Sequence, residues 1–160
     1  MTSYAPRPIP APVVGELLAA DDAGRPAAPF TETEGGDPLR CCLRRSAPGD
    51  RIALVSYAPL RRWAAGTGAD PGAYDEQGPV FVHAEGCPGP AGGPLSLPFT
   101  DAHRTLRRYS FAGRILGGRL VEPPADFHQA LTEAFADPEV ALVHVRAVEY
   151  GCFLYEVRRA

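Results

Sequence analysis

A chain of 160 residues, 45% hydrophobic and 22% charged with a net charge of -3, describes one globular domain large enough to bury its own core. The mild acidic balance excludes the basic face that nucleic acid or an anionic membrane surface would need, so neither is expected as a partner. All 16 basic positions are arginine, which excludes Schiff-base chemistry and a phosphate-loop lysine outright.

In chain order, residues 1–12 (MTSYAPRPIPAP) read as extended, because each proline fixes its own φ and biases its predecessor away from the helical region. Residues 13–20 read as a short helix with Val13, Val14, Leu17 and Leu18 on one side. Residues 21–38 read as loop, so 1–38 is expected to form an arm and loop ahead of a single domain over 38–160. RIALVSY at 51–57, entered by the turn Pro48-Gly49-Asp50, is predicted as a strand, and PVFVH at 79–83 as a shorter one. Residues 105–111 and 114–121 predict a hairpin around Ala112-Gly113, with a bulge at Gly117-Gly118. Beyond Pro123-Pro124, the residues Phe127, Ala130, Leu131, Ala134 and Phe135 keep helical spacing until Asp137-Pro138. Residues 140–148 and 152–158 close the chain as two strands around Tyr150-Gly151. The predicted class is α+β, a mainly antiparallel sheet with one strong amphipathic helix and long Gly/Pro-rich loops. Two such loops, 64–78 and 85–98, flank the short PVFVH strand, and that end of the sheet is where a pocket is expected.

The four cysteines are Cys41, Cys42, Cys87 and Cys152. With no signal-peptide pattern and no run of 18 apolar residues, the cytoplasm is expected, where thiols stay reduced. His83 ends a strand and Cys87 follows it by four residues, after Gly86, so a sharp turn brings a thiol toward an imidazole that can take its proton. These two are the candidate catalytic pair. In VALVHVRAV the alternation places His144 and Arg146 on the same side of a strand, where they can line a site for a carboxylate or phosphate; alternatively Arg146 pairs with a cross-strand carboxylate, for which Glu156 is available, or lies over the sheet. Arg40 and Cys42 complete the candidate ligand-binding set. Adjacent Cys41 and Cys42 point opposite ways in an extended chain, so at most one is expected in a shared site. The cysteines and histidines permit a zinc site arithmetically, but structural zinc usually shows a short ligand pair such as C-x₂₋₄-C and only H-x₃-C at His83 and Cys87 comes near it, so no metal and no cofactor are expected.

Arg40 with Cys42-Leu43, the Pro48-Gly49-Asp50 turn, GPVFVH at 78–83 with Cys87, VHVR at 143–146 and Gly151-Cys152-Phe153 resemble the bacterial domain of unknown function 1203 family. The resemblance runs from about residue 38 to the end. It implies a compact single-domain protein and carries over no catalytic residues, and Cys41 falls outside its pattern.

Two functions follow as expectations. The first is a small-molecule site for an anionic metabolite, with Arg40 and Arg146 holding the charge and His83, His144 and Cys87 moving protons or attacking. The second is a non-catalytic binding or assembly domain, in which the same residues brace the sheet and a strand edge pairs in a homodimer.

Overall fold

The computed structural model describes residues 3–93 and 96–159, and they form a single α+β domain with two antiparallel sheets. Strands β1 (Tyr4–Arg7), β8 (Phe153–Arg159), β7 (Val140–Ala147), β5 (Arg104–Ser110) and β6 (Ile115–Val121) lie in that spatial order. A smaller sheet holds β2 (Phe30–Thr31), β3 (Arg51–Tyr57) and β4 (Gly78–His83). Three helices complete the fold: α1 (Ala11–Ala19), α2 (Pro59–Thr67) and α3 (Phe127–Ala136).

The large sheet is covered on both faces, which is why β7 is buried along nearly its whole length. On one face Val143 and Val145 of β7 and Leu154 and Val157 of β8 pack against Phe127, Leu131 and Phe135 of α3. Helix α3 begins where the Asp126 carboxylate accepts the backbone N–H groups of His128 and Gln129. On the other face Leu142 and Tyr109 meet Leu60 and Trp63 of α2. Phe153, also on that side, enters a second core with Ile52, Val55, Val80, Val82 and α1 residues Val14 and Leu17. Phe153 therefore joins the two sheets.

The proline-rich start is extended and joins the large sheet: β1 pairs with β8 in antiparallel register, Tyr4 opposite Arg159, and α1 packs on β3. Extended proline-rich backbone suits an edge strand, where a missing N–H costs no ladder bond. A second helix also precedes β4. Pro59 stands at its first turn, Leu60, Trp63 and Ala64 share its buried side, and Gly68 closes it in the left-handed region at φ 77°. The bulge falls beside its expected place, with Arg108 opposite Gly117 and Tyr109 opposite Ile115. Among the described residues no helix is long and apolar enough to cross a membrane.

Candidate Cys/His centre

Residues 38–45 fold into a tight loop pinned at both sides. The Arg40 N–H donates to the Phe81 carbonyl of β4 at 2.9 Å, and the Ile9 N–H donates to the Arg40 carbonyl at 2.8 Å. Leu43 takes a left-handed φ of 58°, and its N–H closes a turn onto the Leu39 carbonyl. Because Cys41 and Cys42 sit in this turn, strand alternation does not separate them. The Sγ of Cys41 lies 3.4 Å and that of Cys42 3.7 Å from Nδ1 of His83. The expectation that only one of the pair joins a shared site is overturned by that turn. Cys41, which the sequence set aside, belongs to the cluster.

His83 ends β4 opposite Ile52 of β3, almost fully buried. The next turn uses Gly86 at φ 66°, a conformation that favours glycine, and returns Cys87 toward the imidazole as its spacing predicts. One donor atom from each of Cys41, Cys42, His83 and Cys87 lies within 4.8 Å of the others. The first three residues are buried and Cys87 is exposed. On its far side the His83 ring places Nε2 3.5 Å from Oδ2 of Asp50, and the His83 backbone N–H donates to Cys41 Sγ at 3.2 Å. Asp50 escaped sequence reasoning, although the turn that starts β3 and the pairing of β3 with β4 both set it beside His83. The two adjacent thiols are electrostatically unequal. A hydrogen bond from Cys41 draws Cys42 down to about 6, and the same bond, with burial, pushes Cys41 far above the ordinary thiol range.

Cys41, His83 and Cys87 open onto a groove of ≈ 480 Å³. Its other wall is the N-terminal segment and α1, with Ile9, Val14, Gly15 and Leu18.

The remaining predicted residues lie elsewhere. Arg40 turns its guanidinium away from the cysteines, with Nε donating to the Phe153 carbonyl at 2.8 Å and NH1 to the Pro38 carbonyl at 2.6 Å. Burial lowers its pKa to about 10, so it keeps its charge at neutral pH. His144 is fully buried between the rings of Tyr109 and Phe153, and its Nε2 lies 3.1 Å from the Glu156 carboxylate directly across the strand pair. Glu156 thus serves His144 and not Arg146. Past a register shift after Val145, Arg146 donates to the Gly151 carbonyl at 3.0 Å and faces Glu76 at 3.5 Å. It lines a separate pocket of ≈ 230 Å³ with Tyr57, Glu76 and Cys152. The expected convergence of guanidinium, imidazole and thiol in one hollow therefore resolves into two places, a Cys/His cluster and a buried charge network.

Comparison with curated proteins and with solved structures returns no match. A family model described as "Protein of unknown function (DUF1203)" matches residues 36–159, most of the chain and every residue of both places, and the chain belongs to that family.

Proposed function

We propose that the chain is a small-molecule-binding domain whose ligand lies in the groove between α1 and the 84–90 turn, with its polar end on the Cys/His cluster. The groove's make-up carries this reading: an apolar wall of Ile9, Val14 and Leu18 faces the thiol of Cys41 and the imidazole of His83. Binding sites commonly combine a mostly apolar lining with a few convergent polar groups, in volumes of roughly 300–1,000 Å³. Gly15 supports it further. Glycine inside a helix is destabilising by roughly 0.5–1 kcal/mol relative to alanine, and a Cβ at Gly15 would meet nothing within 4 Å. Position 15 is exposed on the groove wall, so a side chain placed there projects into open space beside the groove.

An anionic metabolite held by Arg40, His144 and Arg146 has weaker support. Arg40 is taken up by backbone carbonyls, while His144 meets Glu156 through Nε2 and Arg146 meets Gly151 and Glu76, with His144 Nδ1 and Arg146 Nε left without a hydrogen-bond partner among the described residues. For these three the bracing role fits their hydrogen bonds better. Thiol chemistry by Cys87 with His83 keeps its geometric basis in the shared cluster.

A fluorescence titration with 1-anilinonaphthalene-8-sulfonate separates the two ligand readings, since that probe is both apolar and anionic. Gly15→Phe, checked for an unreduced melting temperature, is expected to weaken probe binding at least tenfold, while Arg146→Lys leaves it unchanged. Loss of binding in Arg146→Lys with retention in Gly15→Phe would overturn the groove in favour of the anion site.

A further inference from the structure

We propose that Cys41, Cys42, His83 and Cys87 are the four ligands of a tetrahedral zinc site at the edge of the groove. The donors are three sulfurs and one imidazole nitrogen, all within 4.8 Å of one another. Zinc takes sulfur at about 2.3 Å and imidazole nitrogen at about 2.0–2.1 Å. A tetrahedron with those bonds sets each sulfur about 3.6 Å from the nitrogen. The two observed separations from His83 Nδ1, 3.4 Å for Cys41 and 3.7 Å for Cys42, fall on either side of that edge length. Calcium and magnesium want oxygen donors, and this cluster offers none.

The surroundings fit the same assignment independently. A metal-bound histidine usually directs its other ring N–H to a carboxylate, which fixes the tautomer and the ring orientation. Here Nδ1 faces the sulfurs while Nε2 faces Asp50 across 3.5 Å. The buried backbone N–H of His83 donates to the Cys41 sulfur at 3.2 Å, which fixes where that sulfur sits beside the imidazole. Cys87 is exposed and lines the groove beside Cys41 and His83, so the cation has a route in from solvent.

Closure by four protein ligands makes the site structural in type. It ties the 38–45 loop to the end of β4 and so holds the groove's floor in place. The pattern hides from spacing rules because the pairs are unusual. Cys41 and Cys42 are adjacent within one turn, and the second pair, His83 and Cys87, lies some forty residues on. The assignment does not depend on what the groove binds.

The test uses the full chain, reduced, stripped with a chelator and titrated with cobalt(II) and then zinc. One equivalent of cobalt is expected to give the intense visible bands of a tetrahedral ion and thiolate-to-cobalt charge transfer in the near ultraviolet, both discharged by one equivalent of zinc. Cys87→Ser, an exposed position whose replacement leaves the core untouched, is expected to weaken zinc binding at least a hundredfold. Asp50→Asn should retain the tetrahedral spectrum with ten- to hundredfold weaker affinity, the signature of a residue that positions His83 and does not ligate. Cys152→Ser should change nothing. A weak octahedral cobalt spectrum, no stoichiometric uptake, or equal effects of Cys87→Ser and Cys152→Ser would overturn the site. Gly15→Phe should leave metal uptake intact; in the parent chain, cobalt binding without probe binding overturns the groove alone, and probe binding without cobalt uptake overturns the metal site alone.

Discussion

Arg40 shows how a charged side chain can be spent on architecture. Its backbone N–H holds β4 and its guanidinium reaches the Phe153 carbonyl of β8, so one residue fastens the small sheet to the large one. Arg40→Met keeps the aliphatic packing and leaves two carbonyls without a donor. It is expected to lower stability by roughly 2–3 kcal/mol in urea denaturation, where an unchanged midpoint would refute the bracing role. His144 and Glu156 make a pH-dependent contribution at the same scale. Burial lowers the His144 pKa against the opposing pull of the Glu156 carboxylate, and nearby Arg146 and Arg107 add to the lowering, which favours the neutral ring with Nε2 facing Glu156 at 3.1 Å. Burial acts to raise Glu156, but the His144 hydrogen bond and Arg158 outweigh it and leave the carboxyl below its ordinary value. Below about pH 6.5 the unfolded chain gains a proton at His144 that the folded chain resists. Below the ordinary glutamate value of 4.5 the unfolded chain also protonates Glu156 first. Both effects have one sign: stability falls as pH falls. Urea midpoints taken from pH 7.5 to 5 should decline in the parent chain and decline less in His144→Gln. Equal slopes in the two would exclude His144 as the source.

Helix α1 offers the sharpest element-scale test, because Gly15 lies in its middle with open space beyond its Cα. Gly15→Ala should stabilise the chain by about 0.5–1 kcal/mol, read as a raised thermal midpoint, and a lowered midpoint would show that the helix needs this glycine. At this scale most strands were legible, since RIALVSY, PVFVH and the last two strands alternate or run apolar between clear turns. Helix α3 was legible from its five apolar residues at helical spacing. Helix α2 was overlooked because a Gly/Pro-rich segment surrounds it, although Pro59, the Leu60-Trp63-Ala64 spacing and Gly68 spell a short helix with both ends marked. The N-terminal strand announces extended backbone through its prolines but gives no sign of its partner. Its pairing with β8 spans nearly the whole sequence, and only the tertiary fold supplies the partner.

In the whole molecule the two sheets meet through Phe153, and the chemistry separates to either side of that junction. His144, Arg146 and Glu156 lie on the inner face of the large sheet, while Cys41, Cys42, Cys87 and His83 gather at the end of the small one. The candidate site was half legible. The turn at Gly86 foretold that Cys87 would come back toward His83, whereas the inclusion of Cys41 depended on Leu43 adopting a left-handed conformation that no pattern announces. Likewise, the match of Glu156 to His144 instead of Arg146 was fixed by register, and a two-residue slip would set Glu156 opposite Arg146 instead. The most direct measurement is the metal content of the full chain purified under reducing conditions without chelator, by inductively coupled plasma mass spectrometry. One zinc per chain, falling to a small fraction in Cys87→Ser and unchanged in Cys152→Ser, is the expected result. A metal-free parent chain that also fails to take up added zinc would contradict the four-ligand centre.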